Sequence, residues 1–222
     1  PFWKDLPYTN IYELIAPDIL HQLDQGVLKH LIKWITVAYG AAEIDARCRR
    51  FPANHNIHLF MKGITPLTRV TGMEHDQICR LLLGIVVDMR VPGESVSTSN
   101  KITCAVRSLL DFIYLTRYPI HTSQTLDSLD QALTNFRRNI QVFADLGIHA
   151  HFNIPKFHVI GHYRYFAEHL GTADNSNTEY TERLHIDMAK HAYAATNRKD
   201  ELPQMTVWLD RREKILHHEK YI

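Results

Sequence analysis

Apolar residues recur at three- and four-residue spacing along most of the chain. The stretch APDILHQLDQGVLKHLIKW at residues 16–34 sets the pattern: Ile19, Leu23, Val27, Leu31 and Trp34 fall on one helical face, flanked by Leu20, Leu28 and Ile35. Pro17 suits the first turn of such a helix, where its missing N–H is no loss. Asp18 and His21 are therefore expected in that turn, near the positive end of the helix dipole, where a carboxylate stays ionised. Residues 1–16, punctuated by Pro1 and Pro7, read as an irregular or extended lead with room for one short strand. Past the long helix, Ala41–Arg50 continues as a helical turn or two that Pro52 stops. Residues 52–72, with Gly63, Pro66 and Gly72, read as a loop containing short helical pieces.

Helical periodicity returns at Met73, where Ile78, Leu81, Leu82, Ile85, Val86 and Met89 form a face that ends at Pro92 and Gly93. Ser97, Thr98 or Ser99 can cap the next helix, which carries Ile102, Val106, Leu109, Leu110 and Ile113. Thr122 or Ser123 caps another, with Leu126, Leu129, Leu133, Phe136, Ile140 and Phe143 in a narrow stripe closed by Gly147. After Gly171 a helix places Leu184, Met188 and His191 on one side and Glu179, Glu182, Ile186 and Tyr193 on the neighbouring face. A final helix holds Met205, Trp208, Leu209, Ile215 and Leu216. The expected fold class is mainly α, and the succession of helices excludes a repeated βαβ architecture.

Composition narrows this picture little. At 222 residues and 45% apolar content the chain can bury about 70% of its unfolded surface, which excludes disorder. The formal net charge of +1 announces neither a strongly basic nucleic-acid binder nor an acidic tail. Residues 42–107 nevertheless carry nine basic against six acidic residues, so any nucleic-acid surface is expected as a local patch. Cys48, Cys79 and Cys104 are far apart and form no C-x-x-C pair, which argues against a disulfide framework or zinc finger and for a reducing compartment. No run reaches the length of a membrane-spanning helix and no secretory signal is visible, while the start at Pro1 suggests a piece of a longer protein.

Two constellations carry candidate chemistry. Asp18-x-x-His21 offers a carboxylate with an imidazole one turn on; the plainer reading makes Asp18 a dipole-compensating acid and His21 a surface residue. Glu182, with Glu179 one turn earlier, offers a second acidic position. Glu182-x-x-His185 also has the spacing of helical-bundle di-iron proteins, but these need a second such motif, and none is present. His158 and His162 share a helical face near His149 and His151, yet the Glu of H-E-x-x-H is absent and no Cys lies near. Buried, hydrogen-bonded histidines are expected there rather than a structural zinc.

The strings DLPYTNIYELIAPDILHQLDQGVLKHLIKW, GITPLTRVTGMEH, LLDFIYLTRYPIHTSQTLDSLDQAL, DLGIHAHFNIPKFHVIGHY and GTADNSNTEYTERLHIDMAKHAYAATNRKDELPQM resemble the Plavaka-type transposases of fungi, nearly end to end. That family is similar in turn to CACTA-type and KDZ transposases. The resemblance implies a ribonuclease H-like catalytic core with three metal-binding acids and a large helical insertion. Residues 1–25 would then be a fragment of that core, 26–175 the insertion, and 176–222 the C-terminal helices.

Carried over residue by residue, PDILHQ matches the family's Asp-x-x-His signature, making Asp18 the second acid and His21 its companion. TERLHIDMAK makes Glu182 the third acid, with Glu179 the weaker alternative, and no residue matches the first. The resemblance further implies metal-dependent DNA cleavage and strand transfer at transposon ends, Mg²⁺ or Mn²⁺ in a two-metal site, a nuclear setting, and a homo-oligomer acting on DNA without a membrane. This fragment alone is expected to be inactive. Arg49, Arg50, Arg137, Arg138, Arg211 and Arg212 are its candidate DNA-backbone contacts, each pair equally readable as a solvated face. The rival from another functional class is a catalytically dead remnant serving as a DNA- or protein-interaction module.

Overall fold

Side-chain caps decide where most of the helices begin. In the computed structural model, which describes residues 3–7 and 10–221, the first long helix starts at Ile19. Its N-cap is Asp18, in extended conformation, with the carboxylate accepting the His21 backbone N–H. Pro17 therefore precedes the cap instead of sitting in the first turn, and Asp18 lies just outside the helix. This helix, α1, is wound as a π-helix over Ile19–Leu28 and continues as an α-helix over Lys29–Tyr39. Before it, residues 11–14 make a single helical turn where the sequence left room for a strand.

Gly40, at φ +85, breaks the chain into α2 (Ala41–Arg50). The loop that follows contains turns and an isolated bridge between Asn54 and Ile57 in place of the expected helical pieces. Thr71 and Glu74 then form a reciprocal capping box that starts α3 (Gly72–Val86). This helix stops short of Pro92, because Asp88 turns into the left-handed region at φ +60. Met89 stays in the core from outside the helix. Helix α4 (Val96–Thr116) is capped by Ser95, upstream of the three residues expected; Ser99 instead turns inward and accepts the Val91 N–H. Thr122 caps α5 (Ser123–Asn139), which pairs with α4 along its length. After a short turn closed by Gly147 come α6 (Pro155–Val159), a 3₁₀ turn, and α7 (Tyr163–Leu170).

The chain divides into two compact units, Pro1–Asn177 and Thr178–Ile222. The first is built around α1, whose Leu23, Val27, Leu28 and Leu31 are fully buried. Trp34 lies in an aromatic cluster with Phe143, Phe152 and Phe157, ring centroids 5.4–5.6 Å away. The second unit holds α8, which begins as Glu179–His185, passes through a π-wound turn at Ile186–Lys190 and ends at His191–Ala194, and α9 (Glu201–Glu219). The fold is mainly α. No helix among the described residues is long and apolar enough to cross a membrane.

Candidate functional site

Asp18 owes its position to backbone chemistry. The first N–H groups of a helix lack internal partners, and a carboxylate at the N-cap satisfies one while meeting the positive end of the dipole. Both carboxylate oxygens lie 3.1–3.2 Å from the His21 N–H. His21 Nδ1 approaches Asp18 Oδ2 at 2.8 Å. An ionised carboxylate only accepts, so Nδ1 carries the proton, and in the neutral ring Nε2 is then the lone-pair nitrogen. The Asp18 side chain is 12% exposed and that of His21 44% exposed, so the pair sits at a surface.

Remote residues hold this cap in place. The Tyr163 hydroxyl donates to the Asp18 carbonyl at 2.7 Å, and Ser176 Oγ donates to the Pro17 carbonyl at 3.4 Å. Burial, then Asp18 and Asp24, pushes the Tyr163 phenol pKa up, which keeps it a donor. One turn into α1, Gln22 Nε2 donates to the Lys156 carbonyl at 2.6 Å, and Lys156 Nζ donates back to the His21 carbonyl. The lysine stem lies against Gly26, where a Cβ would fall 2.5 Å from Lys156 Cδ and 2.9 Å from the His21 oxygen. A side chain inserted beside a widened turn is an identifiable cause of π winding. Further along, Arg117 ties α1 to α3 from the end of α4: its Nη2 donates to both oxygens of Asp24, and its Nη1 to Asp76 at 2.9 Å.

Asp18 and His21 are thus brought together. Glu179 and Glu182 sit one turn apart at the start of α8, both on the exposed side of the second unit. Arg49 and Arg50 are exposed at the end of α2, with Arg50 3.6 Å from Glu43. Arg47, their neighbour, is structural: it donates to the carbonyls of Ile85 and Val87 and so caps α3. Arg137 and Arg138 are exposed in the last turn of α5, Arg137 packing against Gly161. Arg211 is exposed, but Arg212 donates to the Asp187 carbonyl and lies 5.4 Å over the Trp208 ring, which gives it a role inside its own unit. His149 stacks on Trp34 at 4.9 Å, and His158 and His162 meet with their Nε2 atoms 3.2 Å apart.

As a metal ligand set, Asp18 with His21 fits in part. It supplies one hard oxygen donor, held in place by a cap and an oriented imidazole, of the kind Mg²⁺ or Mn²⁺ prefers. Among the described residues no three His, Cys, Asp or Glu side chains form a metal-binding group.

The Plavaka transposase family model matches residues 1–35. That span ends within α1 and includes both Asp18 and His21. No curated protein and no solved structure matches the chain.

Sequence reasoning missed Tyr163, Lys156 and Arg117, because their partners lie 93 to 145 positions away. The one local signal was Gly26, a helix-weakening residue in the middle of a strong apolar pattern, where close packing is the usual reason.

Proposed function

We propose that the chain is part of a DNA transposase of the DDE/D type, catalysing metal-dependent cleavage and strand transfer at transposon ends. The observation that carries this reading is the transposase family match over residues 1–35, in which Asp18 and His21 form a single hydrogen-bonded unit at a helix cap. In this reading Asp18 is the second acid of a ribonuclease H-like core and Glu182 the third, with Glu179 as its alternative. A further carboxylate, supplied by residues other than these, completes the set, and the helices between residues 26 and 175 are an insertion. Asp18 and Glu182 would hold Mg²⁺ or Mn²⁺, and a divalent pair supplies water activation and charge neutralisation at the scissile phosphate. His21, hydrogen-bonded through Nδ1, orients the Asp18 carboxylate. The exposed pairs Arg49–Arg50 and Arg137–Arg138, with Arg211, would meet DNA phosphates. The reading extends to a nuclear homo-oligomer.

Asp18 lends itself to a clean test, because Asn is as good an N-cap as Asp, so Asp18→Asn removes the charge and keeps the helix start. Mn²⁺ affinity of the full transposase polypeptide, followed by electron paramagnetic resonance, is expected to fall at least about tenfold in Asp18→Asn and in Glu182→Gln, as loss of a ligand would give. Wild-type affinity in Asp18→Asn would leave the residue a cap only. It would favour the second reading, a non-catalytic interaction module, to which the cap geometry of Asp18 already lends weight.

A further inference from the structure

A cleft of about 830 Å³ opens between α1 and the loop after α2. Its volume is that of a small-molecule site. One wall is the α1 face bearing Lys29, Lys33 and Val37, and the other is the segment 64–70, which includes Leu67 and Arg69. That second wall is hydrogen-bonded to α2. Asp45 accepts the backbone N–H groups of Ile64 and Thr65 and, at 2.6 Å, the Thr65 hydroxyl. Gly63, at φ +84, lets the chain pass so close that a Cβ would collide with the Asp45 carboxylate.

The electrostatics of the cleft are one-sided. No Asp or Glu lines it. Lys29, Lys33 and Arg69 make no salt bridge among the described residues. Three cations without counter-charges around one hollow attract an anion. The cleft is also lined by His75, which is 3% exposed and whose buried Nδ1 has no hydrogen-bond partner. A buried polar atom left unsatisfied costs about 1–3 kcal/mol, a cost that a ligand hydrogen-bonding this ring from the cleft would relieve. Burial and the nearby Lys29 hold this imidazole neutral, with its pKa near 4. A neutral ring in an apolar surround suits an uncharged polar heterocycle better than a second anionic group.

We propose that this cleft binds a phosphate ester of nucleotide size, with Lys29, Lys33 and Arg69 holding the phosphate, His75 hydrogen-bonding the attached base, and Val37 and Leu67 covering its ring. The ligand is either a free nucleotide or one nucleotide unit of a single strand. The site involves neither Asp18 nor Glu182 and stands independently of the metal reading.

The test is calorimetric titration of the 222-residue chain in EDTA-containing buffer near neutral pH, with dAMP, deoxyadenosine, inorganic phosphate and a short oligodeoxyadenylate as probes. dAMP is expected to bind at least about tenfold more tightly than deoxyadenosine or phosphate alone. Lys33→Ala and Arg69→Ala should each weaken dAMP about tenfold, and Val37→Glu, which places a carboxylate at an exposed position on the wall, should abolish binding. All three sites are exposed, and circular dichroism checks that the variants keep their helices. With dAMP bound as expected, a strand that binds more tightly than dAMP assigns the site to a nucleic-acid chain, whereas dAMP binding as tight as the strand assigns it to a free nucleotide. The proposal is overturned if no probe binds, if deoxyadenosine or phosphate matches dAMP, or if the variants bind like wild type.

Discussion

Arg117 is the residue whose removal should damage the first unit most for its size. It reaches Asp24 of α1 and Asp76 of α3 at once, and the Asp24 side chain is only 4% exposed. Burial works to lower the Arg117 pKa, and Asp24, Cys79 and Asp76 outweigh it, so the guanidinium is held charged. In Arg117→Met the hydrophobic stem is kept and the charge is lost. Removing one partner of a buried ion pair costs about 3–5 kcal/mol. The Asp76 arm adds little, since Asp76 is 30% exposed and Arg117 itself 23% exposed, where solvent screens the interaction. The expected loss is therefore near the lower end, about 3 kcal/mol. Urea unfolding followed by circular dichroism measures it. Asp24→Asn combined with Arg117→Met should recover part of that loss, because an uncharged amide needs no cation. A single variant within about 0.5 kcal/mol of wild type, or a double variant as weak as the single, would refute the assignment of Arg117 as the tie between α1 and α3.

Two further expectations follow from the same unit. Gly26→Ala should destabilise by about 1–2 kcal/mol despite alanine's better helix propensity, because the new Cβ meets Lys156 and the His21 carbonyl. Lys156→Ala should relieve much of that penalty in a double-mutant cycle, and additive losses would mean that Lys156 does not fill the turn. For His75, burial and then Lys29 depress the folded pKa from 6.5 to about 4, so the folded state disfavours the proton that the unfolded chain accepts. Stability from this group is full above pH 6.5 and is lost as pH falls towards 4, by up to about 3 kcal/mol. His75→Leu should flatten that part of the stability profile, and an unchanged slope would contradict the burial argument.

Where the chain's own neighbours determine a feature, the sequence announces it. The apolar face of α1 is buried as its spacing predicts, Thr122 caps α5, and the three-residue step from Asp18 to His21 becomes a hydrogen-bonded pair. Features set by distant partners were illegible. The π winding of Ile19–Leu28 accompanies a lysine more than 130 positions away, whose carbonyl and ammonium both bind that turn. Ser95 displaced the expected caps of α4 because Ser99 is drawn inward by the Val91 N–H. Arg212 reads in sequence as half of a basic pair, yet the carbonyl it binds and the ring it covers use it internally. Glu182 rests on the family resemblance alone, since no spacing in the sequence links it to a residue 164 positions earlier.

The proposal that Asp18 and Glu182 serve one metal site is tested most directly by a crystal structure of the protein grown with Mn²⁺, through the anomalous signal of the ion. Ligand–metal distances near 2.1 Å and an ion spacing of about 4 Å confine carboxylates that share a metal pair to within roughly 8 Å of one another. The expected result is an anomalous peak contacted by an Asp18 oxygen, with the Glu182 carboxylate inside that limit and the Glu179 carboxylate farther off. Carboxylates more than about 15 Å apart, with other helices packed between them and no peak at Asp18, would contradict it.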